Sequence, residues 1–421
     1  MYIRTYSAKT RIATVVIVAF IIVLGGAVLA WFLPSERISY NDGDDSTASN
    51  ATTTLIASTT PPSPPPFVVT HVPAPIAIRA AYYTSWAAGT PSFQKQMFSL
   101  IQGTDLNSLV IDVKDYSGRI GFDVTDPDLV AVGSAQNRIP DIEHMIDSLH
   151  KQGIYVIGRV AVFQDPFIVK IHPEWAVHNK TTGAVWRDSG GAYWVDPDNK
   201  DMWSYVAEIA KQAYAVGFDE INFDYVRFPS DGIGNAAFAK SASTTKETVI
   251  TRFFSYIHDQ LSPLGIPISA DIFGQTTSDL GDMGIGQHFE NVLPYFDYVD
   301  PMVYPSHYVD GFLNFAKPAE HPYAIVKYEL GQAVDRTIAA SSSPDKIRPW
   351  LQAFDLGAIY TPDMVHEQMQ ASADAGTQGW LLWNAGSVYN REFVMPFASA
   401  SSTAEKMVIG KLAATTTAGA Q

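Results

Sequence analysis

Eight short runs rich in β-branched and aromatic residues, separated by longer amphipathic stretches, constrain this chain more than any other feature. They fall at 76–83, 108–114, 154–162, 220–226, 267–272, 298–304, 347–354 and 379–384. Helical patterns lie between them at 140–152, 202–216, 246–261 and 362–375, and Gly153, Gly217 and Gly376 stand where a left-handed residue ends a helix. Strand followed by helix, eight times over, predicts an α/β protein of the (β/α)8 TIM-barrel class with inserted loops. An open doubly wound sheet also alternates in this way. It is disfavoured by the count of eight and by the lack of a Gly-rich phosphate loop after the first run.

The folded region is expected to span 76–397, and the ends read differently. Residues 12–33 form an uncharged apolar run of 22 residues, which at 1.5 Å per residue reaches about 33 Å, enough to cross a hydrocarbon core of roughly 30 Å. Arg4, Lys9 and Arg11 precede it and Glu36 is the first charge after it. The positive-inside bias therefore predicts a cytoplasmic tail at 1–11, a transmembrane anchor at 12–33 and a barrel outside the cytoplasm. A signal peptide cleaved near Val28 and Ala30 is the competing reading, and it too exports the protein. Residues 34–75 are rich in Ser, Thr and Pro and read as a linker; residues 398–421 read as a flexible tail.

Alternation inside the strands locates the chemistry. In 220–226, Ile221, Phe223 and Tyr225 share one face, while Asn222, Asp224 and Val226 share the other. In 267–272, Ile268, Ala270 and Ile272 oppose Ser269 and Asp271; in 108–114, Leu109, Ile111 and Val113 oppose Asp112 and Lys114. The aliphatic faces suit a helix layer, so the polar faces point into the barrel. Active sites of such barrels form at the C-terminal ends of the strands. Polar residues expected there are Asp112, Lys114 and Asp115, then Arg159, then Asp224 and Arg227, then Asp271. Later strands add Tyr304 and His307, Gln352 and Asp355, and Trp383 and Asn384.

Cleavage of a glycosidic bond requires one protonated and one ionised carboxyl group. Asp224 and Asp271, from adjacent strands at matching depth, are the catalytic candidates. Either could instead cap a helix or accept bonds from loop N–H groups; at Asp271, followed by Ile-Phe-Gly274, capping and catalysis both fit. Asp112, Lys114 and Asp115 are read as an ion-paired floor of the site. Arg227 is read as a clamp on a carboxylate, either Asp224 or an acid of the substrate. Tyr304 fits either a donor to the nucleophile or a rim aromatic. Trp86, Trp175, Trp186, Trp194, Trp350 and Trp383 supply faces on which sugars stack, and the insertion 163–201, with three of them, is read as a cleft wall.

Other chemistries fit poorly. The chain contains no cysteine, which excludes thiol nucleophiles and zinc–thiolate sites. His172 and His178, six residues apart without a helix to align them, are not read as a metal site, and no cofactor is expected. Dinucleotide, Walker and Gly-x-Ser-x-Gly motifs are lacking. With 43 acidic against 28 basic residues and a formal charge of −15, the chain is unsuited to nucleic acid.

Five motifs in order, Val110-Ile-Asp-Val-Lys-Asp115, Asp219-Glu-Ile-Asn-Phe-Asp-Tyr-Val-Arg-Phe-Pro229, Ser269-Ala-Asp-Ile-Phe-Gly274, Pro301-Met-Val-Tyr-Pro-Ser-His307 and Trp380-Leu-Leu-Trp-Asn384, give the chain a family likeness. Over about 78–395 it resembles a bacterial glycosyl hydrolase domain family, first catalogued as a domain of unknown function and distantly similar to α-amylase-type barrels. The resemblance implies a TIM barrel that hydrolyses O-glycosidic bonds, with Asp224 as nucleophile and Asp271 as acid/base. Amylase-type barrels carry Glu after the fifth strand, where this chain has the shorter Asp271. The function expected is that of a membrane-anchored glycoside hydrolase acting on a polysaccharide outside the cytoplasm. A non-catalytic glycan-binding barrel of the cell envelope is the alternative from another class, and a metal-dependent deacetylase is a third.

Overall fold

The computed structural model describes residues 67–396. The eight expected strands are present: β1 (Ile78–Tyr83), β2 (Ser108–Lys114), β3 (Tyr155–Ala161), β4 (Glu220–Asp224), β5 (Ile268–Phe273), β6 (Tyr298–Met302), β7 (Trp350–Gln352) and β8 (Gly379–Trp383). Each pairs in parallel with the next, and β8 pairs with β1, so the sheet closes into a barrel. The fold is therefore a (β/α)8 barrel, and closure removes the open-sheet alternative. Residues 12–33 lie outside the described residues, as do 1–11, 398–421 and most of the linker. Among the described residues no helix is long and apolar enough to cross a membrane.

Helices α1 (Pro91–Ile101), α2 (Ile142–His150), α3 (Lys200–Ala215), α4 (Lys246–Leu261), α5 (Pro322–Ala339) and α6 (Pro362–Ala375) pack outside the strands. Their starts are set by side-chain caps. Asn199 accepts from the Met202 N–H, Thr245 from Thr248 and Thr361 from Met364, each satisfying an orphan donor of the first turn. Helix α6 stops at Gly376, whose φ of 88° belongs to the left-handed region. Leu109, Ile111, Ile221, Phe223, Ile268 and Ala270 are fully or almost fully buried in the layer between strands and helices, as the alternation requires. The last part of the stretch read as linker packs on the barrel's lower end. The Val72 N–H donates to Asp219 at 2.8 Å, and His71 stacks on Tyr214 with ring centroids 3.9 Å apart.

Several strands are shorter than expected, two of them for identifiable local reasons. Strand β4 stops at Asp224 because Tyr225 adopts a φ of 56°, which breaks the alternation. Val226 joins the outer hydrophobic layer, while Tyr225 is only partly buried against it and lines the cavity. Strand β7 begins only at Trp350 because Pro349, which has no N–H, interrupts the ladder after Arg348 bonds to Val299.

The lumen has two sides. Tyr82, Val110, Tyr155, Ile157, Trp350 and Leu381 form an apolar cluster inside it. Strands β4 to β6 contribute polar side chains instead. In the lower layer the Arg348 guanidinium contacts Glu220 at 2.6 and 3.2 Å and Asp300 at 2.9 and 3.0 Å. Ser269 and Tyr155 also donate to Glu220, at 2.6 and 3.2 Å. Arg348→Met leaves two buried carboxyls without their cation and is expected to destabilise the barrel by about 3–5 kcal/mol. The check is the urea unfolding midpoint, with Glu220→Gln and Asp300→Asn added to restore most of the loss. A single variant as stable as the wild type contradicts this account of the lumen.

Candidate active site

Asn222 links the lower layer to the upper one. Its amide nitrogen lies 3.1 Å from Ser269, 3.1 Å from Asp300 and 2.9 Å from Oδ1 of Asp271. Trp350 donates its indole N–H to the same Oδ1 at 2.7 Å. Two neutral donors thus occupy Oδ1, which leaves Oδ2 as the atom of Asp271 able to carry a proton. Burial pushes the pKa of Asp271 far above the usual carboxylate range, and the neighbouring carboxyls Asp224 and Asp300 push it further. Asp300 itself is pushed up to about 6 by burial, with Arg348 opposing.

Arg159, from the middle of β3, organises the upper layer. Its guanidinium donates to Asp112 at 2.7 Å and to Asp224, and its Nε lies 3.9 Å from Oδ2 of Asp271. Nε has no hydrogen-bond partner, so Asp271 is the one carboxyl of the three that Arg159 faces without bonding. Asp224 and Asp271 therefore face one planar guanidinium, Asp224 bonded to it and Asp271 3.9 Å from its Nε. The ranges for glycosidase carboxyl pairs are roughly 5–5.5 Å for retention and 6.5–9.5 Å for inversion. The register matches: Phe223 pairs with Ala270, so the next residues, Asp224 and Asp271, stand at one level.

These groups open into a cavity of about 330 Å³ at the C-terminal end of the strands, near the lower end of the roughly 300–1,000 Å³ range of small-ligand sites. Arg159, Asp224, Asp271, Arg227, Tyr304, His307 and Trp383 of the sequence candidates line it. The Tyr304 hydroxyl has no protein partner among the described residues. Burial lowers the pKa of His307, which favours its neutral form. Asp112 lies one step below, held by Tyr82 at 2.6 Å as well as by Arg159. Trp383 stacks on Tyr82 at 4.0 Å and meets Trp350 edge-on at 5.5 Å, making the aromatic wall.

Other candidates stand apart from the cavity. The expected joint floor of Asp112, Lys114 and Asp115 is divided among three ion pairs. A register shift after Asp112 re-aims Lys114 to Asp165, at 2.8 Å, while Asp115 pairs with Arg138 at 2.6 Å. Gln352 is fully buried, accepting from the Ser306 N–H and donating to Phe354. Asn384 donates to the Ala353 carbonyl and accepts from Gly386, which shapes a turn. In the insertion read as a cleft wall, Trp186 and Trp194 are buried in the outer core and Trp175 stacks on His172. Trp86 is 60% exposed and lies outside the cavity lining.

Sequence reasoning missed Tyr82, Tyr225, Phe273, Tyr308, Met283 and Met302 around the site. Tyr82 carries a usable signal, since it follows Ala80 on the inward parity of β1. Tyr225 carries none, because its place depends on a backbone conformation that non-glycine residues seldom adopt. Glu220, Asp300 and Arg348 were also missed, although Glu220 shares the parity of Asn222 and Asp224.

Barrel, buried carboxyls and aromatic wall together define the class as a glycoside-hydrolase-type (β/α)8 domain. Over residues 80–389 the chain matches the family described as "Putative glycosyl hydrolase domain", and it belongs to that family. A hypothetical protein from Ruminiclostridium thermocellum shares 35% identity over 45% of this chain and 96% of its own, with a TM-score of 0.42. The glycoside hydrolase domain of PgaB (BpsB) from Bordetella bronchiseptica is 13% identical over 76% of this chain and all of its own, with a TM-score of 0.53. A chitinase from Chromobacterium violaceum is 14% identical over 75% of this chain and 96% of its own, with a TM-score of 0.46. The likeness to PgaB supports the fold. No curated protein matches the chain.

One buried carboxyl beside the cavity gives a test by pH. The turn Gly274–Thr277 borders the cavity and is held from behind by Glu329 of α5, which accepts from Thr277 at 2.5 Å and Ser278 at 3.0 Å. Burial pushes the Glu329 pKa up to about 7, against roughly 4.3 for an exposed glutamate. The folded state therefore holds this proton more tightly than the unfolded state. Its contribution to stability is complete below about pH 4 and is lost as pH rises through about 7. Glu329→Gln is expected to remove this decline, so the wild-type minus variant difference in unfolding midpoint should shift against the wild type between pH 5 and 8. A difference that is flat in pH contradicts the assignment.

Proposed function

We propose that this protein is a membrane-anchored glycoside hydrolase that cleaves a polysaccharide outside the cytoplasm with Asp271 as general acid and Asp224 as the partner carboxylate. The observation that carries the reading is that both groups face Arg159 at one cavity, in a chain that belongs to a glycosyl hydrolase family. Asp271, whose Oδ2 is left to carry the proton, delivers it to the glycosidic oxygen as that bond breaks. Asp224, ion-paired to Arg159, acts at the anomeric carbon, the role implied by the family likeness. Trp383, which lines the cavity and is backed by the buried Trp350, offers an apolar face to a sugar ring. Support for export and anchoring comes from the apolar run 12–33 and the positive charges before it.

The test is release of reducing sugar from a panel of bacterial and plant polysaccharides by the full chain in detergent micelles. Asp271→Asn is expected to lose about 10²–10⁴-fold of the activity, the usual worth of a positioned acid, and Asp224→Asn at least as much. Wild-type activity is expected to fall as pH rises through the Asp271 pKa, because only the protonated form donates. Equal release by wild type and Asp224→Asn removes that residue from the mechanism. Retention of polysaccharide without any release moves the reading to a glycan-binding barrel.

A further inference from the structure

Three arginine side chains stand in or directly above the lumen, and two are each ion-paired with two carboxylates. Arg348 is bonded to Glu220 and Asp300, and Arg159 to Asp112 and Asp224. Arg227 differs. Its guanidinium lines the cavity beside Asp224 and Asp271, yet no carboxylate lies within ion-pair distance of it among the described residues. Its one hydrogen bond runs from Nη1 to the carbonyl of Phe228 at 3.1 Å. A guanidinium has five N–H donors, so most of this fork is left for something else.

The fork is also held in place. The Arg227 guanidinium carbon lies 4.8 Å from the Trp194 ring centroid, 4.7 Å from Phe273 and 5.8 Å from Tyr225. Trp194 is anchored in turn by its indole N–H to Asp188 at 2.9 Å. Aromatic packing on this scale restricts the guanidinium plane without satisfying its donors, which is how a fork is pre-organised for a planar oxyanion. Burial lowers the Arg227 pKa, with Asp224, Tyr225, Asp231 and Asp188 opposing from a distance. The cation is thus partly desolvated and incompletely compensated within the protein.

We propose that Arg227 is the receptor for an acidic group of the substrate, so that the cavity takes an anionic sugar residue, with a uronate carboxylate as the best geometric match to the fork. The proposal rests on the reading of this cavity as a sugar site, and it adds the chemical class of the sugar. The chain carries a net charge of −15, which opposes broad attraction of a polyanion. Recognition is therefore local, one acid seated on one guanidinium, rather than a run of charge along the surface.

The experiment measures equilibrium binding by calorimetry to the full chain in detergent micelles, so it does not depend on turnover. The probes are glucuronate, galacturonate, mannuronate and N-acetylmuramate, each beside its neutral counterpart, together with glucose 6-sulfate beside glucose. At least one acid is expected to bind tenfold or more tightly than its neutral partner. The preference should vanish in Arg227→Met and be reduced in Arg227→Lys, which keeps the charge but not the fork. Circular dichroism verifies that both variants are folded. A preference confined to the sulfate keeps Arg227 as receptor and makes the acid an ester. No acid preferred over its neutral partner, or a preference untouched in Arg227→Met, overturns the proposal. A chain that binds acids through Arg227 but hydrolyses nothing refutes the glycosidase reading alone. Asp224-dependent hydrolysis that is indifferent to Arg227 refutes this inference alone.

Discussion

Five buried carboxyl groups share two buried guanidinium groups inside this barrel, and the rest of the site follows from that imbalance. Glu220 and Asp300 take Arg348; Asp112 and Asp224 take Arg159. Asp271 is left between the layers with Asn222 and Trp350, donors that carry no charge. Ionising all five groups in a medium of low dielectric is costly, so the group without a bonded cation holds its proton. A plain hydrophobic lumen of Val, Ile and Leu would be easier to fold. The polar lumen instead yields two carboxyls at one depth, one ion-paired to a guanidinium and the other bonded by neutral donors.

The same arrangement explains the shape of the cavity. The apolar side of the lumen, from β1, β7 and β8, rises into the wall of Tyr82, Trp350 and Trp383. The polar side, from β3 to β5, ends in Arg159, Asp224 and Asp271. A sugar has apolar ring faces and polar edges, and the two sides of the cavity match that division. Tyr225 marks where backbone regularity is given up for the site. Its left-handed conformation directly after Asp224, at a cost of about 1–2 kcal/mol, turns its ring towards Arg159 and Arg227 and hands the core position to Val226.

Much of the fold was legible because two periodicities coincide with it. Alternation in 220–226 and 267–272 placed Asp224 and Asp271 inward at matching depth, and Gly376 ends its helix where a left-handed residue was expected. The site was less legible where side chains act through partners remote in sequence. Lys114 has the right parity for the lumen, but a register shift sends it to Asp165, 51 positions on, and no local pattern encodes that. Asp115 likewise answers to Arg138. The tryptophans of the insertion read as a sugar platform by type, yet Trp186 and Trp194 are core residues; composition gives residue type and not exposure. Arg227 was read as a clamp on either Asp224 or a substrate acid, and among the described residues its one hydrogen bond goes to the Phe228 carbonyl.

The central claim is that the imbalance of charge in the lumen raises the proton affinity of Asp271, while Asp224 is ion-paired to Arg159. It is tested most directly by carbon-13 NMR titration of the aspartate side-chain carboxyls, with assignment from Asp271→Asn. The account predicts one aspartate resonance, absent from that variant, that still has the shift of a protonated carboxyl at a pH where exposed aspartates are ionised. An Asp271 resonance already in the ionised range at pH 5 would contradict it.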